Sequence, residues 1–261
     1  MRSNIYTPSP DKWLLREVLK THDSLRFGIG IIAMFFPLLL WLIGCLFGLH
    51  MPPSISEYYW HPYTPHAIAG GYLVEDAPVR VFFVGGLWAI GVFLICYRGY
   101  TRGENHLHTL AGLCAISVAT FPMNPCCKHD PVCPIKHLGN FLYGLDALHF
   151  GSAVGLFVCL SIAIFLYSNN TLRYFGNPLW EGRLRRFYHA IAVLMLAVPA
   201  ITYLTFHGVL DRLLPGENFP HLIYWMEVFA IVPFGLFWLV KTTEIRLSEY
   251  DHMLGGPGQP M

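Results

Sequence analysis

Charged residues are what this sequence has least of. Lys, Arg, Asp and Glu together make up 13% of its 261 residues, against roughly a quarter in water-soluble domains. That shortage excludes an ordinary soluble enzyme or binding domain of this length. Neither sign dominates: 17 basic and 16 acidic residues leave a net charge of +1, which excludes the broad basic surface that holds nucleic acid. The HExxH, GxSxG and CxxC patterns are also missing, so no common zinc-protease, serine-hydrolase or thiol-redox signature is present. No internal repeat stands out. A cleavable leader is not expected either. The first apolar run begins after Arg26 and lasts roughly 24 residues, longer than the roughly 7–15 of a signal-peptide core.

What is there is apolar: 54% of the chain is hydrophobic. A helix needs about 20 apolar residues to cross the hydrocarbon of a bilayer, where free backbone groups find no partner. Six stretches qualify: 26–49, 80–98, 106–123, 146–167, 187–208 and 222–241. The third is the shortest in apolar content and ends at Phe121-Pro122, and the sixth carries Glu227 and Pro233. The expected fold is an all-α bundle of about six transmembrane helices spanning 26–241. A cytoplasmic N-terminal segment, 1–25, precedes it and a largely disordered tail, 242–261, follows. With the N-terminus inside, 13 Lys and Arg residues fall on the cytoplasmic side and only Arg80, Lys128, Lys136 and Arg212 outside, so both termini are expected in the cytoplasm. Ser9-Pro10-Asp11 reads as a cap, a first-turn proline and an acid at the positive helix end. A short amphipathic helix is expected to follow it, lying on the headgroups or packed on the end of the bundle.

The polar residues near the span ends gather on the outer side. Ser54, Ser56 and Glu57 lie in the first outer loop, and Ser117 and Thr120 near the outer end of the third span. Asp146, His149 and Ser152 open the fourth at helical spacing; His207 and Asp211 close the fifth; His221 opens the sixth, and Glu227 follows about a turn and a half further in. Ionisable groups in a membrane are costly, so each is a site hypothesis that requires a partner. Asp146 is placed to orient His149, and Asp211 to orient His207. Glu227 is placed to pair with an imidazole, with Arg80 or with Arg212. Three readings stay open. The cluster is a polar network that fixes helix packing, or a site for a lipid headgroup or other amphiphile, or a hydrolytic or acyl-transfer site. The last would use a histidine–carboxylate base or a metal such as zinc on His149, His207 and His221. No cofactor is required by any motif.

The loop Cys126-Cys127-Lys128-His129-Asp130-Pro131-Val132-Cys133 is the densest local constellation. On an oxidising outer face it favours a disulfide from Cys133 to Cys126 or Cys127, with zinc and free thiols as alternatives. Cys45, Cys96, Cys114 and Cys159 lie in apolar runs and read as packing residues. His106-Leu107-His108 reads as solvated cytoplasmic polarity. Asn169-Asn170-Thr171 matches a glycosylation sequon on the cytoplasmic side, where it stays unmodified.

Four segments, in order, give the chain a family likeness: Pro53-Ser54-Ile55-Ser56-Glu57-Tyr58 after the first span, Tyr97-Arg98-Gly99-Tyr100 after the second, Ala111-Gly112-Leu113 through Thr120-Phe121-Pro122 in the third, and His149-Phe150-Gly151-Ser152-Ala153 opening the fourth. This pattern resembles the damage-regulated autophagy modulator (DRAM) family and its six-span relatives, many of unknown function. The cysteine-rich loop departs from it. The resemblance implies a lipid-facing role, as binder, organiser or remodeller of membrane lipid, and carries over Ser56 and His149. The seven-span metal hydrolases that include the alkaline ceramidases offer a chemical analogy only, because this chain has one span fewer. The sequence therefore points to a multi-pass membrane protein that binds or organises lipid at the outer leaflet. Its expected partners are lipid and other membrane proteins. An intramembrane lipid hydrolase or acyltransferase is the alternative, and a proton-coupled transporter a third reading.

Overall fold

In the computed structural model, the described residues are 10–59, 64–67, 73–76, 78–123, 139–172, 177–204 and 221–253. They form six long helices: α1 (Pro10–Leu46), α2 (Pro78–Cys96), α3 (Arg102–Thr120), α4 (Gly139–Tyr167), α5 (Pro178–Leu204) and α6 (Leu222–Met253). Short 3₁₀ turns occupy Ile55–Tyr59 and Ser168–Asn170. Five helices (α1, α2, α4, α5 and α6) are long and apolar enough to cross a membrane, the make-up of a multi-pass membrane protein. The expected third span, α3, is as long as α2 but does not reach that apolarity.

The sequence pattern missed one element. Between α1 and α2 the chain forms an antiparallel hairpin, β1 (Thr64–Ala67) with β2 (Leu73–Asp76), in which Thr64 pairs with Asp76 and Ala67 with Leu73. The description all-α therefore holds for the bundle but not for this loop. The N-terminal segment also differs from expectation. Residues 10–25 continue without a break into the first span as one 37-residue helix, because nothing between Pro10 and Pro37 breaks the ladder. At 1.5 Å per residue α1 is about 55 Å long, well beyond the roughly 30 Å of bilayer hydrocarbon. Likewise α6 runs on to Met253, through the first twelve residues of the stretch expected to be a disordered tail; residues 254–261 lie outside the described set.

Local chemistry sets several boundaries. α1 ends in a Schellman motif: Gly48 takes φ +72°, Leu49 N–H donates to the Gly44 carbonyl (3.0 Å), and Gly48 N–H donates to Cys45 (3.0 Å). Thr101 caps α3 by accepting from Glu104 N–H at 3.2 Å, while the Glu104 carboxylate accepts from Tyr100 N–H at 2.9 Å. α3 stops at Thr120 because Phe121, preceding Pro122, is extended. Asn177 accepts from Leu179 and Trp180 N–H at the start of α5, with Pro178 at the first helical position.

The helices form a ring. Each packs on its neighbours in sequence, and α1 packs on α6 to close it. Without a hydrophobic drive between helices in lipid, small residues permit close approach. α2 and α3 meet at Gly91 and Gly112, where a Cβ on Gly91 would come within 2.8 Å of the Gly112 carbonyl oxygen. Gly235 of α6 similarly faces the backbone of Met34 on α1.

At the end that the Lys/Arg distribution assigns to the cytoplasm, the ring is tied by buried charge. Lys241, 5% exposed, donates to the Ser168 carbonyl (2.5 Å), to Thr171 Oγ1 (2.6 Å) and to both oxygens of Glu244 (3.0 and 3.2 Å). Glu244, 2% exposed, also accepts from Thr171 (2.6 Å) and Tyr188 (2.5 Å). Every donor of the ammonium and both carboxylate oxygens are thus engaged, which binds α4, α5 and α6. Thr171 of the sequon is buried in this network. His108 is not solvated as expected. It is buried inside α3, its Nδ1 2.8 Å from the Glu104 carbonyl, its ring against Tyr97 and Trp238.

Two outcomes are expected from this packing. Gly91→Ala forces the α2–α3 backbones apart and lowers stability by about 1–3 kcal/mol, read as a drop in thermal midpoint in detergent. Glu244→Ala strands the Lys241 charge and costs about 3–5 kcal/mol. Adding Lys241→Met recovers most of that loss, and failure to recover it would show that the ion pair is not what α6 depends on.

Candidate functional site

The end of the ring at which α1 stops and α2 begins holds the described polar residues that the sequence singled out, and they converge only in part. The first outer loop folds back into the ring: Tyr224 N–H of α6 donates to the Pro53 carbonyl at 2.8 Å, and Tyr58 is buried against Gly44 and Tyr224. This brings residues 54–56 over Glu227. Ser54 Oγ lies 2.9 and 3.0 Å from the two Glu227 oxygens, Ile55 N–H donates to Oε2 at 2.5 Å, and Ser56 Oγ is 3.4 Å from Oε1. A carboxylate held away from water needs several donors. Here they come from one short segment of loop.

On its other side Ser56 Oγ is 3.1 Å from Nε2 of His149, which is 1% exposed. The orienting partner of that ring is the Phe121 carbonyl, 2.7 Å from Nδ1, and not the Asp146 carboxylate expected from the three-residue spacing. The carbonyl is available because Phe121 is extended ahead of Pro122, outside the helical ladder. A carbonyl only accepts, so Nδ1 carries the hydrogen. In the neutral ring Nε2 is then an acceptor that faces the serine hydroxyl. Ser56 has one hydrogen and two acceptors, Nε2 and Oε1. It is the junction of a chain that runs from the end of α3 through α4 and the loop to α6.

The other expected residues have different partners. Ser152 donates to Ser117 at 2.7 Å, a link between α4 and α3 one turn below His149. His221 Nδ1 lies 3.3 Å from the Pro52 carbonyl and steadies the loop. Glu57 is buried in the 3₁₀ turn, where desolvation pushes its carboxyl pKa upward; it is not among the hydrogen-bond partners of Glu227. Arg80, offered as a partner for Glu227, instead donates to the Tyr59 carbonyl at 2.6 Å and stacks on that ring. His207 and Asp211, and Cys126, Cys127 and Cys133 of the candidate disulfide, lie outside the described residues. Among the described residues no three His, Cys, Asp or Glu side chains group closely enough to hold a metal ion.

Below Ser56 and Glu227 the ring encloses a cavity of about 70 Å³ lined by α1, α2, α3, α4 and α6. Ser56 and Glu227 are its only polar lining residues; the others include Phe36, Phe83, Leu87, Leu156, Leu160, Ile231 and Phe234. The lining runs from Ala153 to Leu160 on α4 and from Glu227 to Phe234 on α6. Seven residues of helix at 1.5 Å each make it about 10 Å deep. The site is thus an apolar shaft with the Ser56 hydroxyl and the Glu227 carboxyl at one end; the His149 imidazole stands behind Ser56 and is not part of the wall.

Sequence reasoning left two contributors out of the site, the Ile55 amide and the Phe121 carbonyl. The second had a signal in Phe121-Pro122, since a residue before proline leaves the helix and frees its neighbourhood for other partners.

Glu227→Ala leaves the Ser54 hydroxyl and the Ile55 amide without an acceptor. It is expected to lower stability by about 1–3 kcal/mol, whereas Glu227→Gln, which keeps one acceptor oxygen, loses less. Thermal unfolding in detergent distinguishes the two, and equal losses would show that the loop does not depend on these hydrogen bonds. Compared with known proteins, the chain matches no family model, no curated protein and no solved structure.

Proposed function

We propose that this protein is a six-span membrane protein that binds a membrane lipid from the outer leaflet. The lipid inserts one hydrocarbon tail into the ring and leaves its polar linkage at Ser54, Ser56, His149 and Glu227. The observation that carries this reading is the shaft itself. An apolar cavity about 10 Å deep whose polar groups are confined to one end matches an amphiphile, and a small polar solute would find no partners along its walls. The resemblance of the Pro53–Tyr58 and His149–Ala153 segments to the DRAM family favours the same lipid-facing role. Passage of an ion or proton has less behind it, because below Ser56 and Glu227 the cavity wall offers only apolar side chains such as Ile90, Leu160 and Phe234.

In this reading α3 is the sixth span. Its lower hydropathy is accommodated because α2 and α4 cover it on two sides, and its polar residues Glu104 and His108 are buried within the protein rather than facing lipid. Both termini are cytoplasmic, as the Lys/Arg distribution requires.

The experiment is photocrosslinking of the purified protein with a diazirine-bearing phospholipid, followed by peptide mapping. Adducts are expected on α4 and α6 between residues 153–160 and 227–234. Leu156→Trp, which fills the shaft, is expected to reduce them about tenfold or more, a loss of roughly 1.4 kcal/mol in affinity. Labelling confined to outward-facing residues such as Phe165 or Leu247, unchanged by Leu156→Trp, would eliminate the reading.

A further inference from the structure

We infer that Ser56 is an acyl-accepting nucleophile and that the bound lipid is an ester substrate. This rests on the lipid-binding reading above and adds a reaction to it. Three features of the geometry point the same way. The Ser56 hydroxyl lies 3.1 Å from Nε2 of His149, within the reach a general base needs. The Phe121 carbonyl at Nδ1 fixes the tautomer that leaves Nε2 free to accept a proton, the orienting part that a third residue plays in a nucleophile–base pair. And Ser56 is also a wall of the shaft, so a tail seated there places its ester carbonyl beside the hydroxyl. A purely structural serine needs the first contact but has no reason to border the cavity.

The reaction balances without any further reagent. Ser56 Oγ attacks the ester carbonyl carbon, and its proton passes to Nε2 of His149. The tetrahedral adduct collapses with cleavage of the bond between carbonyl carbon and alcohol oxygen. Nε2–H returns the proton to that oxygen, and the acyl group remains on Ser56 as an ester. A second alcohol or water then takes the acyl group by the same steps in reverse, with Nε2 again accepting its proton. Glu227 is a positioning residue. It accepts from the Ser54 hydroxyl and the Ile55 amide and so holds the loop, and with it the nucleophile, over the shaft, while the Ser56 hydrogen is directed at Nε2 of His149. With a second lipid alcohol as acceptor the outcome is acyl exchange between lipids; with water it is deacylation.

The test is covalent capture. Full-length protein in lipid nanodiscs is treated with a long-chain alkyl fluorophosphonate, and the labelled residue is located by mass spectrometry. Labelling at Ser56 is expected, absent in Ser56→Ala, retained in Ser152→Ala, and slowed about 100-fold or more in His149→Gln. If His149→Gln does not fold, the wild-type labelling rate read against pH replaces it. The rate is expected to fall as the medium is acidified and the base is protonated, and a flat profile would count against the imidazole. No adduct on Ser56 in wild type, or an adduct elsewhere that survives Ser56→Ala, overturns the inference. The phospholipid photocrosslink separates the two readings: shaft adducts without Ser56 labelling leave a lipid-binding protein with no nucleophile, and loss of both removes the lipid as well.

Discussion

A carboxylate at the depth of Glu227 has little water to lean on, and the fold answers by bringing the loop to it. Ser54, the Ile55 amide and Ser56 all turn inward toward one side chain of α6, and much of the outer half of the molecule follows from that. The loop can descend because α1 stops cleanly at Gly48 and the Pro52–Pro53 segment is pinned to His221 and Tyr224. Its descent buries Ile55, Glu57 and Tyr58, roofs the shaft and carries Ser56 to His149.

The two ends of the ring solve the same electrostatic problem in opposite ways. At the Lys241–Glu244 end acid and base neutralise each other, and the ammonium and both carboxylate oxygens are engaged, so the ion pair is suited to holding helices. At the Glu227 end one serine hydrogen faces two acceptors, and Ser56 and Glu227 border an apolar cavity. A closed network gains nothing from a visitor, whereas an open one has hydrogen-bonding capacity left to direct at it. That contrast, more than the mere presence of ionisable groups, makes the Glu227 end the candidate site.

Five of the six expected spans were legible from apolar runs, because hydrocarbon imposes length and composition together, whereas α3 falls short of that apolarity. Ser56, His149 and Glu227 are legible from their positions near span ends, but the expected set is not: Ser152 and His221 have other partners, and His207 and Asp211 lie outside the described residues. What could not be read was helix rotation. Asp146 and His149 share a face by spacing, yet the ring of His149 is taken by a backbone carbonyl 28 residues upstream, and a carbonyl leaves no trace in residue identity. Lys241 and Glu244 were missed for a related reason. At the end of an apolar run a Lys and a Glu look like the solvated start of a tail, and only the continuation of α6 to Met253 and the return of Thr171 and Tyr188 show them to be interior. The hairpin at 64–76 was hidden because its strands are four residues each, too short for a period to emerge.

Closure of the ring by α1 against α6 also bears on how the molecule is made. Of these six helices α1 is synthesised before the others and α6 after them, so α1 waits for its partner until the other five have been made. The same helix α6 brings Glu227 to one end of the ring and Lys241 with Glu244 to the other. Until it arrives, the loop that carries Ser56 has no anchor, Thr171 and Tyr188 have no ion pair to bind, and the shaft has one wall open to lipid. Assembly of the ring is therefore back-loaded: its closure, its internal charge balance and its pocket are completed together, by the last of the six helices.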